Sequence, residues 1–325
     1  MTDLSLIEAA AERLKGHARE TPLLSSPFLD KLAGRRVLIK PECLQHTGSF
    51  KFRGAWSAIS ALDAETRARG VIAFSSGNHA QGVAHAAALH GVPATIIMPS
   101  DAPRMKIDNT RALGGEVVLY DRERESREEI GAELAETRGL TLIKPYDEPQ
   151  VIAGQGTTGL EIARQARDAG VSEADVLICC GGGGLTSGIA LALEGHAPGL
   201  RARTCEPEGF DDMRRSLASG QRERNPREGG NICDAILTPE PGEITFPIIK
   251  RLCGPGLAVS EDEALHAMAL AFARLKLVLE PGGAVALAAA LLRRGEIAGE
   301  AVIVVASGGN VDATQFRHAL ERYAE

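Results

Sequence analysis

Short runs of apolar and β-branched residues alternate along the chain with segments of helical period. The runs occupy residues 37–40, 70–74, 94–99, 116–120, 140–144, 175–180, 201–205 and 301–306. Each has the length of a strand, and glycine, proline or polar residues bound them. Between them lie helical patterns such as 82–90 and 158–169. At the start, Leu4, Ile7, Ala10 and Leu14 fall on one face of a helix. Alternation of this kind predicts an α/β architecture, with mostly parallel sheets flanked by helices. No internal repeat or Pro/Ser-rich linker marks a boundary, so two domains in a chain of 325 residues would interleave.

Glycine-rich turns follow three of the runs: SSGNHAQG at 75–82, GGGG at 181–184 and SGGN at 307–310. In open α/β sheets ligands gather at the carboxyl ends of strands, where these turns fall. The three therefore predict one composite site.

Composition narrows the classes. The formal net charge is −7 and no basic block is present, which argues against a nucleic-acid partner. The most apolar late stretch, 277–292, is interrupted by Glu280, Pro281, Gly282 and Gly283, and it is too broken to span a bilayer. The N-terminus lacks the basic start and apolar core of a signal peptide. The six cysteines, Cys43, Cys179, Cys180, Cys205, Cys233 and Cys253, show neither C-x-x-C nor zinc spacing. They read as reduced thiols, and a cytoplasmic location is expected.

Two segments carry candidate chemistry. In DVLICC-GGGG-LTSG, strand, glycine loop and helix follow one another, so backbone N–H groups and a helix N-terminus can face an anion. The loop lacks the Gly-Lys-Ser/Thr of a Walker loop and the spacing of a dinucleotide fingerprint. A phosphate cradle and a plain tight turn both remain open. In His46-Thr47-Gly48-Ser49-Phe50-Lys51-Phe52-Arg53-Gly54, a lysine sits among aromatics and glycines. Such surroundings favour the neutral amine that forms a Schiff base. An ordinary surface lysine is the alternative.

Taken in order, SFKFRGA around Lys51, SSGNHAQG, GGGG and SGGN resemble the fold-type II (tryptophan synthase β-like) pyridoxal-phosphate (PLP) enzymes. That group contains serine and threonine dehydratases, serine racemases and 3-hydroxyaspartate dehydratases. The resemblance runs from about residue 20 to about residue 315. It implies a large PLP-binding domain made of 1–51 and 148–325, and a small substrate-side domain of 52–147. By the same resemblance, Lys51 carries the internal aldimine and acts as base on the α-proton, and Phe50 packs beside the cofactor. Asn78 bonds the phenolic oxygen, and Gly181, Gly182, Gly183, Gly184 and Leu185 hold the phosphate. Ser307 faces the pyridine nitrogen and Glu280 lies near the ring. A hydroxyl partner leaves the ring a weaker electron sink than a carboxylate would, which favours expulsion of a β-leaving group.

The turn Ser75, Ser76, Gly77, Asn78 and His79 is expected to bind the substrate carboxylate, with His79 in a structural role. Ser76 stands where threonine dehydratases carry alanine and serine racemases carry serine, so proton transfer on the second face is an open reading. Arg127, in Glu125-Ser126-Arg127-Glu128, matches racemase-like members and suits a second carboxylate. It also reads as one more solvated charge in DRERESREE. PYDEP at 145–149 and PGEITF at 241–246 resemble bacterial threonine/serine dehydratases. Ala235 and Lys144 depart from the family's usual glycine and histidine, which puts substrate identity in doubt. Elimination from L-serine or L-threonine ranks first, 3-hydroxyaspartate close behind, and serine racemisation third. In CEPEGFDD, the matching metal ligands are Glu206, the Phe210 carbonyl and Asp212, an all-oxygen set suited to Mg²⁺ or Ca²⁺. A homodimer is expected from the relatives. No C-terminal regulatory domain of the threonine-dehydratase type is expected, since the chain ends soon after SGGNVD.

Overall fold

The structure is a computed structural model that describes residues 2–102, 104–121, 123–227 and 229–323. Among these residues ten strands form two sheets. They are β1 (Leu24–Ser25), β2 (Arg36–Pro41), β3 (Val71–Phe74), β4 (Ala94–Pro99), β5 (Glu116–Tyr120), β6 (Thr141–Leu142), β7 (Ala174–Cys179), β8 (Leu200–Pro207), β9 (Leu257–Val259) and β10 (Ala301–Ala306). The larger sheet has the order β1-β2-β10-β7-β8-β9 and the smaller the order β5-β4-β3-β6. Of the pairings between these strands, only β1–β2 is antiparallel.

Helices cover both faces of the large sheet, which is why its central strands read as unbroken apolar runs. Val302, Ile303, Val304 and Val305 of β10 are fully buried, each burial contributing about 2 kcal/mol. The helix Pro281–Leu292 is apolar all round and buried along nearly its whole length, as expected of a helix enclosed by its neighbours. Glycine is required where it meets the end of β10: a Cβ on Gly283 would stand 2.2 Å from the Gly308 carbonyl oxygen.

The strands of the small sheet all lie between residues 71 and 142, while the large sheet draws on the chain before and after them. The interleaving expected from the missing linker is thus present in the sheets. The apolar cores divide less cleanly. Leu14 and Val151, from outside that interval, pack with Val71, Ala73 and Ile96.

A buried charge cluster fixes the helix Lys51–Ser60. Arg53 is fully buried and bonds Glu42 at 2.8 Å and Glu161 at 2.6 Å, and Lys40 reaches Glu161 at 2.5 Å. It links the turn after β2 to the helix Pro149–Asp168. Losing one member would strand an uncompensated charge in the interior.

Candidate functional site

The turns after β3, β7 and β10 meet, and a cavity of about 630 Å³ opens at the junction of the two sheets. Lys51 begins its helix at the cavity wall. Its Nζ donates to the Pro145 carbonyl at 2.8 Å and lies 5.1 Å from the Phe50 ring centroid. Removal from bulk water pushes its amine down to about 8, with Glu280 acting in the opposite direction. Near neutral pH such a group is still mostly protonated, but its neutral, nucleophilic fraction is far larger than that of an ordinary lysine and grows as pH rises.

Lys51 is tied to the end of β10. The Phe50 amide donates to the Ser307 carbonyl at 3.2 Å, and Ser49 pairs with Gly308. Ser307 itself is buried beside Cys179 and is not among the residues lining the cavity. Asn78 opens the helix Asn78–His90 and donates to Glu280 Oε1 at 2.6 Å. Its own Oδ1 accepts from Asn310 Nδ2 at 2.7 Å, and Asn310 also donates to the Thr47 carbonyl at 2.8 Å. Thr47 is one of two non-glycine residues with positive φ among the described residues. Burial pushes the Glu280 carboxyl up to about 7, and the Asn78 bond pulls against it. Four sequence-distant motifs therefore share one hydrogen-bonded junction.

Ser75, Ser76 and Gly77 line the cavity as the turn before the Asn78 helix, and Ser75 Oγ accepts from the Gly77 amide at 3.1 Å. His79 is buried, with Nε2 2.8 Å from the Ile143 carbonyl. Burial, then Lys51, push its imidazole down to about 3, so it stays neutral. It also borders the cavity.

Gly181, Gly182, Gly183, Gly184 and Leu185 line the opposite wall. Glycine is needed here for close approach: a Cβ on Gly182 would stand 2.2 Å from the Tyr146 ring, and Gly183 has φ +94°. The N–H groups of residues 182–185 donate to no protein acceptor among the described residues. Thr186 Oγ1 is buried at the same wall with no hydrogen bond beyond a contact with the Cys180 thiol, and Gln155 Oε1 is likewise buried and unpaired. Buried polar groups normally find partners, so this cluster fits a bound anion such as a phosphate. Gln155 and Thr186 were not singled out in the sequence, and Tyr146 entered only as part of PYDEP, with no role of its own. Thr186 carried a usable signal, a polar residue beside Leu185 at the start of an apolar helix. Tyr146 and Gln155 come close only through the fold.

Arg127 begins the helix Arg127–Arg138 and lines the cavity. Its Nε donates to Glu128 at 2.7 Å, and this contact raises its pKa. The side chain is about half exposed and borders the cavity, a position compatible with a substrate contact and with a solvated charge alike. Lys144 and Ala235, the two departures from the family pattern, also line the cavity. Lys106 does too, and bridges the cleft to Asp234 at 3.0 Å.

The acidic loop after β8 stands apart from the cavity. Glu206 accepts from the Met213 and Arg214 amides, both at 2.8 Å. Asp212 Oδ1 accepts from Asn225 at 2.6 Å, while Oδ2 is buried without a partner. Burial raises both carboxyls, Glu206 well above its ordinary range and Asp212 to about 6. Phe210 is buried between them in sequence. Among the described residues no group of three or more His, Cys, Asp or Glu side chains gathers at one point. A cation here would need the backbone carbonyl and waters. The unpaired Oδ2 is the one feature that fits it.

Comparison with known proteins agrees with this geometry. A family model described as pyridoxal-phosphate dependent enzyme matches residues 14–308. The chain is 44% identical over 312 residues to an L-threo-3-hydroxyaspartate ammonia-lyase of Pseudomonas sp., covering 96% of each. It is 40% identical to a serine racemase of Schizosaccharomyces pombe, covering 97% of this chain and 96% of that protein. Among solved structures, a T.th. threonine deaminase superposes with a TM-score of 0.90 at 44% identity, over 95% of this chain and 99% of that one. No helix among the described residues is long and apolar enough to cross a membrane.

Proposed function

The chain belongs to the pyridoxal-phosphate dependent enzyme family, as a fold-type II ammonia-lyase for hydroxy amino acids, and we propose that its substrate is 3-hydroxyaspartate. This reverses the order expected from sequence, where L-serine or L-threonine stood first. The observation that carries the change is Arg127, which lines the same cavity as Lys51 and the Ser75–Gly77 turn. Its present ion pair with Glu128 is exposed and therefore worth little. A substrate carboxylate could replace it at small cost. A planar guanidinium suits that carboxylate better than the nearby lysines do. Two relatives at 44% and 42% identity carry the name L-threo-3-hydroxyaspartate ammonia-lyase, which supports the same reading.

When bound, PLP supplies the electron sink that lets a proton leave the α-carbon and a hydroxyl leave the β-carbon. The residues divide the remaining work. Lys51 would anchor the cofactor through its amine and would serve as the base that holds the α-proton. Phe50, Asn78 and Glu280, which line the cavity, would hold the ring side and the 181–185 loop the phosphate, while Ser307, buried behind the cavity wall, keeps its place at the ring nitrogen from the resemblance alone. The Ser75, Ser76 and Gly77 turn binds the α-carboxylate, and Arg127 the second one. The products are a keto acid and ammonia.

Ser76 lines the cavity beside Ser75, which supports a secondary reading in which it serves protons on the second face and gives some racemisation. A structural Mg²⁺ or Ca²⁺ at Glu206, the Phe210 carbonyl and Asp212 belongs to the same proposal, supported by the unpaired Asp212 Oδ2. The division into 1–51 with 148–325 and 52–147 and a homodimer are retained from the resemblance, and a cytoplasmic location from the reading of the cysteines as reduced thiols. The substrate assignment is tested by keto-acid release from hydroxyaspartate and L-serine in the parent and in Arg127→Leu. A hydroxyaspartate preference that survives the substitution would remove Arg127 from the account.

A further inference from the structure

The glycine loop faces the cavity with its N–H groups because its carbonyls are bound elsewhere. The Gly182 carbonyl accepts from Thr245 Oγ1 at 2.6 Å and from the Gly242 amide at 3.2 Å. The Gly183 carbonyl accepts from Ser187 through its amide at 2.9 Å and its hydroxyl at 2.8 Å. The same hydroxyl reaches the Gly184 carbonyl at 3.1 Å. In a trans peptide the N–H points opposite to the C=O. Three carbonyls turned into the protein therefore turn the N–H groups of Gly183, Gly184 and Leu185 the other way, toward the cavity these residues line.

Ser187 lies within the loop's own helix and its bonds are local. Thr245 is 63 residues away and fully buried. It is fixed in turn by Asp147, whose carboxylate accepts from the amides of Glu243 at 3.2 Å, Ile244 at 2.8 Å and Thr245 at 3.4 Å. Thr245 also closes the back of the loop, since a Cβ on Gly183 would stand 2.9 Å from its hydroxyl. Thr245 does not itself line the cavity.

We propose that Thr245 is a positioning residue for the cofactor phosphate, setting the orientation of the Gly182–Gly183 peptide so that the Gly183 N–H meets the anion. The proposal rests on the reading that the 181–185 loop is the phosphate seat. Without the hydroxyl, Gly182 keeps only the longer bond from Gly242, and the peptide is free to rotate away.

The test titrates the full-length chain, stripped of cofactor, with PLP and with pyridoxal, which lacks the phosphate. The ratio of the two affinities cancels any general loss of folding. Thr245→Val should lower the ratio about tenfold, the scale of one buried hydrogen bond, and Thr245→Ser should stay within about threefold of the parent. Gly183→Ala, strained at its positive φ, should lower the ratio whatever Thr245 does. A lowered ratio in Gly183→Ala with an unchanged one in Thr245→Val would overturn the role of Thr245 and leave the phosphate seat standing. Equal loss in the valine and serine variants would also overturn it, since packing rather than the hydroxyl would then be responsible. An unchanged ratio in Gly183→Ala would overturn the phosphate seat, and the proposal with it.

Discussion

The Asn78 amide donates to the Glu280 carboxylate at 2.6 Å, joining residues 202 apart in the chain. The bond links the helix after β3 to the buried helix packed under β7 and β10. Asn310 closes the junction by donating to Asn78.

Glu280 should leave a mark on the pH dependence of stability. Burial raises its carboxyl from 4.5 to about 7 in the folded protein. Between those values the folded state holds a proton that the unfolded state has released, so this group makes stability fall as pH rises from about 4.5 to about 7. Glu280→Gln should flatten that part of the curve. Denaturant melts of the cofactor-free chain at several pH values measure it, and an unchanged slope would show that Glu280 is not the group responsible.

Lys51 gives a second pH prediction. With its amine lowered from 10.5 to about 8, the neutral fraction grows as pH rises through that value. Covalent capture of PLP by the cofactor-free chain should speed up over the same interval, followed by absorbance. Lys51→Ala should abolish the capture and lower turnover by about a thousandfold or more. Retained turnover would refute the assignment.

Arg127→Leu should lower kcat/KM for hydroxyaspartate about a hundredfold, the scale of a lost charge-assisted bidentate contact. L-serine, with one carboxylate, should change by no more than about threefold. Equal losses on both substrates would place Arg127 in a general structural role.

Much of the frame was legible because the strand runs are long and continuous. β4, β5 and β10 match the apolar runs residue for residue. β1 and β9 escaped because two or three residues carry no measurable period. The run 140–144 shrank to Thr141–Leu142, since it pairs with β3 through only two residues. The site was legible where glycine turns follow strands. It was not legible where a residue works through tertiary approach. Arg53 looks like a surface charge in SFKFRGA, yet Glu42 and Glu161 make it one of the most buried side chains in the molecule. Thr245 and Gln155 likewise gain their roles from neighbours that the chain order does not reveal.

For the acidic loop, treatment with a chelator should lower the thermal midpoint by several degrees and Mg²⁺ should restore it, because a ligand that binds only the folded state stabilises it. Asp212→Asn should blunt that response. A midpoint indifferent to both chelator and Mg²⁺ would remove the cation from the account.

Ser76→Ala should spare dehydration and suppress racemisation of L-serine, as read by chiral chromatography. Loss of both activities would mean that Ser76 does more than serve one face of the substrate.

The most direct measurement of the central claim is keto-acid release by the PLP- and Mg²⁺-supplied enzyme, comparing kcat/KM for the stereoisomers of 3-hydroxyaspartate, L-serine, L-threonine and D-serine. The account predicts that one hydroxyaspartate isomer leads by about a hundredfold or more, in line with the second carboxylate on Arg127. L-serine or L-threonine in the lead would contradict it and return Arg127 to the solvated charges of its helix.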